Sequence, residues 1–282
     1  MSAATGVGPV ARRVRLTLEF DGTGFQGWQW QPTGERTVQG ALQDAFAKLP
    51  GLHGSVVAAG RTDAGVHALA MVAHVDTTTA IPDAKLRLAL NAHLPRDVLV
   101  LGLESVRGDF EAQYDCRYRR YLYRLRPSRA DPRGLALDRH RVLPVFSRLD
   151  VAAMQAATPH LVGRHDFSSF ATQETRTPVR TVHLCELRGD GAELRLHVAG
   201  DGFLRNMVRT IVGTLLWVGK GKLRPEDVAE VLAARDRARA GPNVGPQGLY
   251  FVEAGYEAWD PAASERCAAA RAPGALVVAP TA

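Results

Sequence analysis

Asp63 is the side chain in this sequence whose type and setting best suit chemistry. It lies in the stretch from residue 58 to 68, Ala-Ala-Gly-Arg-Thr-Asp-Ala-Gly-Val-His-Ala, between Gly60 and Gly65 and two residues after Arg61. Glycines on either side let the backbone bend sharply and approach a ligand closely. In an extended segment, residues two apart share a face, which puts Arg61 and Asp63 on one side. A guanidinium there keeps the carboxylate ionised, ready to act as nucleophile or base. The same residues also suit a plain turn, in which the aspartate bonds its own backbone.

Charge points to the class of partner. The chain has 282 residues and 35 Lys and Arg against 29 Asp and Glu, a net charge of +6. Residues 112 to 141 alone hold nine arginines (117, 119, 120, 124, 126, 129, 133, 139 and 141) and three aspartates, which equals that excess. Arginine grips phosphate with a planar two-pronged fork. Tyr114, Tyr118, Tyr121 and Tyr123 are interleaved with these arginines, and aromatic faces stack on bases. The pattern suits a nucleic-acid surface and equally a solvated strand and loop.

The elements that must position these groups come as a repeated pattern. Val14, Leu16, Leu18 and Phe20 alternate as in a half-buried strand. A Gly-rich loop follows from Asp21 to Gly34. Val38, Leu42, Ala45, Phe46 and Leu49 keep helical spacing after a Thr37 cap. Ser55–Ala59 and Leu69–Val75 read as strands flanking the Asp63 loop, Pro82 opens a second helix, and Val98–Val106 is another strand. The second half repeats the order: a strand at Tyr121–Leu125, a helix at Leu149–Leu161, a hairpin from Val179–Leu187 to Glu193–Val198 through 189–191, and an apolar helix at Phe203–Val218. A further helix starts at Pro225, and a closing strand spans Leu249–Tyr256. The expectation is an α+β protein of two ferredoxin-like (split βαβ) halves, joined into a mixed, mainly antiparallel sheet with helices packed on it and a central cleft. The expected division is a loose N-terminal tail at 1–11, an N-terminal half at 12–112 carrying the Asp63 loop, a C-terminal half at 113–260, and a loose Ala-rich tail at 261–282.

Other chemistries lack their signatures. Gly213 to Lys220 has the wrong spacing for a phosphate loop and no Ser or Thr after the lysine. The nine histidines and three cysteines show no metal-ligand spacing. There is no Gly-x-Ser-x-Gly elbow and no strand-linked Gly-x-Gly-x-x-Gly. No metal and no cofactor are expected. An odd, scattered set of cysteines fits a reducing cytoplasm. No apolar run is long enough for a membrane span.

Six blocks resemble the tRNA pseudouridine synthase A family. They are Asp21-Gly22-Thr23-Gly24-Phe25-Gln26-Gly27-Trp28-Gln29, Thr37-Val38-Gln39, Gly60 to Ala68, Arg120-Tyr121-Leu122-Tyr123, His165 to Phe170, and Gly202 to Arg209. They occur in family order from about Leu16 to Tyr256. The resemblance implies a cytoplasmic homodimeric isomerase that converts uridine to pseudouridine in the anticodon stem-loop of tRNA, at uridines 38, 39 and 40, without metal or cofactor. It implies that Asp63 is catalytic and that Tyr121 stacks on the target base and handles the proton at C5. Arg209 is the candidate partner of Asp63 across the cleft, Arg205 one turn earlier competes for that place, and Arg61 is a candidate to pair with Asp63 or grip a phosphate.

Two positions depart from the family pattern. Gln113 stands where the family carries an arginine, and Asn243-Val244-Gly245-Pro246 stands where it carries Thr-Ala-Pro. Two other functions stay open: a non-catalytic RNA-binding or chaperone protein, and an RNA N-glycosylase. A glycosylase would need a second carboxylate to activate water, for which Asp166 and Asp201 are candidates.

Overall fold

Val14, Leu16, Leu18 and Phe20 are all buried, as their alternation requires, and define strand β1 (Arg12–Phe20). The computed structural model describes residues 11–172, 177–189 and 192–270. After β1 come α1 (Val38–Ala47), β2 (Leu52–Ala58), β3 (His67–Thr77), α2 (Asp83–His93) and β4 (Val98–Val106). The Thr37 side chain accepts from the Gly40 N–H and starts α1 as a cap. The C-terminal half contains β5 (Tyr118–Pro127), the short α3 (Leu135–Asp138) and β6 (Leu143–Val145), then α4 (Val151–Ala157), β7 (Gly163–Asp166), β8 (Val179–Arg188) and β9 (Leu194–Gly200). It closes with α5 (Met207–Gly219), α6 (Asp227–Ala234), β10 (Leu249–Gly255) and α7 (Pro261–Ala270).

The strands form one ten-stranded sheet in the order β4-β1-β3-β10-β5-β9-β8-β7, with β2 on β3 and β6 on β5. Each half repeats one arrangement, β4-β1-β3-β2 and β10-β5-β9-β8, which is the expected pair of split βαβ units. Two residue pairs join the halves: β10 runs parallel to β3 at Tyr250↔His67 and Phe251↔Ala68. The far end of β3 pairs instead with β2, from Leu52↔Thr77 to Ala58↔Ala73. Strands β2 and β10 therefore leave β3 as a fork, and the Asp63 loop sits in its opening.

The differences from expectation have local causes. The apolar helix α5 starts at Met207 rather than Phe203, because Asn206 adopts a left-handed backbone with φ 62°. Eleven of its thirteen residues are buried, as suits a helix apolar on all sides. The helix expected at 149–161 is α4 followed by a 3₁₀ turn, Thr158–Leu161, that contains Pro159. β8 and β9 pair antiparallel as the expected hairpin. Residues 190–191 of its turn lie outside the described residues, as do 1–10 of the expected N-terminal tail and 271–282 of the C-terminal one. The loose tail expected from Pro261 is corrected over its first ten residues, which form α7. Among the described residues, no helix is long and apolar enough to cross a membrane.

Helix α7 supplies the partners of a buried charge. Arg120 on β5 is 0% exposed. Its Nη1 donates to the Ser264 carbonyl at 2.8 Å, and its Nη2 donates to Glu265 at 2.8 Å. Glu265 also binds Arg188, and the Ser264 hydroxyl donates to Glu253 at 2.7 Å. His197, beside Arg120 at 3.3 Å, has its pKa pushed down to about 4 by burial and then by the charges of Arg120 and Arg188.

Deleting residues 261–282 strips the buried guanidinium of its partners. The expected loss is about 3 kcal/mol of stability, read as a lower midpoint in urea unfolding. His197 is neutral when folded but protonates near its ordinary 6.5 when unfolded. Its contribution is therefore intact above about pH 6.5 and declines as the pH falls toward 4. Unfolding midpoints measured between pH 7 and about 5.5 should show this decline. His197→Gln should make it shallower, with His67 and His74, whose pKa values burial also lowers, supplying the rest.

Candidate active site

The loop from Ala59 to Val66 is held by backbone contacts from the Gly-rich segment after β1. Trp28 N–H donates to the Thr62 carbonyl at 3.0 Å, and Gly65 N–H donates to Phe25 at 3.2 Å. Gly27, at φ +94°, lies against the Asp63 peptide; a Cβ there would sit 2.6 Å from the Thr62 oxygen. At the end of the loop His67 is buried, with Nδ1 accepting from Gly22 N–H at 3.1 Å and Nε2 facing the His140 carbonyl at 2.7 Å. That pattern places the proton on Nε2. Burial lowers the His67 pKa, and nearby Asp21 only partly opposes this, so the ring is a neutral wedge stacked on Tyr250 at 4.7 Å.

Asp63 projects into a cleft of about 1310 Å³ between the halves. Its side chain stays 38% exposed, and its Oδ2 accepts from Arg209 Nη1 at 3.2 Å. Arg209 comes from α5 of the other half and is only 14% exposed. It is aimed by two more acceptors, Val244 O at 2.7 Å and Asn206 Oδ1 at 3.1 Å. Arg209, not Arg205, is thus the partner across the cleft. Arg61 is exposed and forms no ion pair with Asp63. Tyr121 lies on the cleft floor at 9% exposure, with its ring edge-on to Phe203 at 5.0 Å and Phe251 at 5.3 Å. Burial raises its pKa, the Asp63 charge adds to that, and Arg119 opposes it, so the hydroxyl is protonated at neutral pH.

The cleft is lined by Arg61, Arg119, Arg180, Arg205 and Arg209 against Asp63 and Asp201, so it is electropositive. Most of this charge lies outside the 112–141 window. Within that window Arg120 is buried, Arg124 pairs with Glu193, Arg126 with Asp138 and Arg133 with Asp131. Tyr118 and Tyr123 are buried, and only Tyr114, at 82%, is an open aromatic face. Strand β5 lies in the middle of the sheet, so its side chains serve the core. Gln113 and Asn243, the two departures from the family pattern, both line the cleft.

Neither candidate second carboxylate stands beside Asp63 as a water-activating base. Asp166 takes the Ser168 N–H and hydroxyl and meets Arg235 at 3.2 Å. Asp201 reaches the cleft, but its Oδ1 accepts from Thr181 N–H at 3.0 Å. Among the described residues, no three His, Cys, Asp or Glu side chains group as a metal site. Sequence reasoning missed the backbone cradle around the loop and the aiming of Arg209 by Asn206. A signal existed for the second: an asparagine directly before an apolar helix reads as a cap. Here its side chain caps nothing and holds Arg209 instead.

The model of the tRNA pseudouridine synthase family matches residues 17–118 and 157–257. The chain belongs to that family. Its members are isomerases, and this chain is one. It is 48% identical over 251 residues to a tRNA pseudouridine synthase A of Thermus thermophilus, covering 87% of this chain and 97% of the relative. It is 44% identical over 247 residues to one from Afipia carboxidovorans, covering 86% and 99%. A tRNA pseudouridine synthase A 2 of Clostridium perfringens is 39% identical over 247 residues, covering 87% and 100%. The synthase match contains the Gly27 cradle, Asp63 and Arg209; Tyr121 lies between its two segments and α7 beyond its end.

Gly27→Ala should displace the Asp63 loop, because positive φ is strained for alanine and the new Cβ meets backbone. The expected loss is about 2 kcal/mol of stability together with a larger proportional loss of isomerase turnover. Paired thermal melts and turnover assays check this.

Proposed function

We propose that this synthase isomerises uridine to pseudouridine in the anticodon stem-loop of tRNA, at positions 38, 39 and 40, with Asp63 as its nucleophile and with no cofactor. The observation that carries this reading is the partly exposed Asp63 carboxylate, paired with Arg209 above Tyr121 in an arginine-lined cleft.

The reaction breaks the bond from uracil N1 to ribose C1′, turns the base and joins C5 to C1′, and the proton lost from C5 is matched by one taken up at N1. Atoms and electrons balance without oxidant or co-substrate. It needs one oxygen nucleophile held close to the nucleotide, and the contact from Arg209 orients Asp63 for that. In the cleft, Tyr121 presents a ring to the base. As a neutral phenol it stacks and hydrogen-bonds, and it is a weak base for the C5 proton. A stacked uridine cannot reach Asp63, so the base leaves the helix at a cost of a few kcal/mol. Arg61, exposed at the loop, with Arg180 and Arg205 on the cleft wall, offsets that cost through the flanking phosphates. The same reading includes a homodimer working in the cytoplasm, which light scattering of the purified protein checks for assembly.

Asp63→Ala should bind unmodified tRNA within about twofold of the wild-type affinity and form no detectable pseudouridine. The measurement is position-resolved mapping of the modified base after incubation with tRNA. A variant that still forms pseudouridine removes Asp63 from the chemistry. Free uracil released by the wild-type protein would mark a glycosylase, and bound tRNA with no product at all would mark a binding protein.

A further inference from the structure

Arg119 lines the cleft yet has no donor left for a substrate. A guanidinium carries five N–H donors, and all five meet backbone carbonyls. Nε and Nη2 donate to Ala59 at 3.1 and 2.8 Å, and Nη2 also donates to Gln113 at 2.7 Å. Nη1 donates to Cys116 at 3.1 Å and Asp201 at 2.8 Å. The acceptors come from three segments: the end of β2, the stretch entering β5, and the loop after β9. Ala59 lies four residues before Asp63, and Asp201 opens the loop that runs to Asn206 and Arg209. One side chain therefore ties together the two loops that supply the two ends of the ion pair.

We propose that Arg119 is a positioning residue, which sets the spacing of these loops, and so of Asp63 and Arg209, without contacting RNA. The proposal rests on the functional reading above. Side-chain type matters here. Lysine would keep the charge, but it offers three donors from one point and cannot span four carbonyls. A misplacement near 1 Å costs about a hundredfold in rate for oriented reactants. A phosphate contact behaves differently: lysine preserves it, while a neutral residue weakens binding and flattens its salt dependence by about one unit of slope.

The test compares Arg119→Lys and Arg119→Gln with the wild-type protein and with Arg61→Ala. Two quantities are read: the single-turnover rate of pseudouridine formation on unmodified tRNA, and tRNA affinity across a salt series. Both Arg119 variants should lose about tenfold or more in rate. Both should keep Kd within about twofold and retain the wild-type slope of log Kd against log salt, whereas Arg61→Ala should weaken binding and flatten that slope. Arg119→Lys at wild-type rate overturns the proposal. So does Arg119→Gln with weaker binding and a flattened slope, which marks a phosphate contact. Failure of both variants to fold also overturns it, since the tie would then carry the fold and not only the loops. A wild-type protein that forms no pseudouridine defeats the functional reading and this proposal with it; the variant outcomes bear on Arg119 alone.

Discussion

Two residue pairs of parallel sheet, Tyr250 with His67 and Phe251 with Ala68, hold the architecture together. They make one sheet from two repeated units and force β2 aside. Because β2 pairs only with the far end of β3, the β2–β3 connection emerges where the halves meet. Had β2 run the full length of β3, the Asp63 loop would lie at the end of one unit, far from α5. The short seam puts a carboxylate from one half within reach of a guanidinium from the other.

That ion pair is built for availability more than for stability. Both partners line the cleft, and the Asp63 end of the pair is open to solvent, which limits what it adds to folding. Arg209 is nonetheless tightly aimed, because Val244 and Asn206 take its other donors. Asp63 has a fixed orientation and an open face. The same separation of labour appears in the arginines. Those on β5, Arg119 at the cleft wall included, are committed to carboxylates and carbonyls of the protein, while the other cleft arginines come from loops, the start of β8 and the start of α5.

Much of this order was legible in the sequence, because strands and helices are local. Alternation at Val14–Phe20 and helical spacing after Thr37 are written in adjacent residues, and the duplicated order of elements followed from them. Asp63 stood out because glycines around an acid are a local signal. Long-range constraints were not legible. No local pattern says that Arg120 is buried against residues 264 and 265, so the segment after Pro261 read as a loose tail. For the same reason the arginine-tyrosine window read as a surface, although β5 is a central strand. The break before α5 depends on the left-handed backbone of Asn206, which an apolar run cannot reveal.

Gly27 and Gly65 are packed so closely on neighbouring backbone and on Pro246 that neither tolerates a side chain. The Asp63 loop is in effect an inlay with no slack, so a mutation there is more apt to destroy it than to retune it. Room for substitution lies instead in the walls around it. Gln113 and Asn243 occupy those walls. The rigidity of the centre makes the periphery the evolvable part of the enzyme.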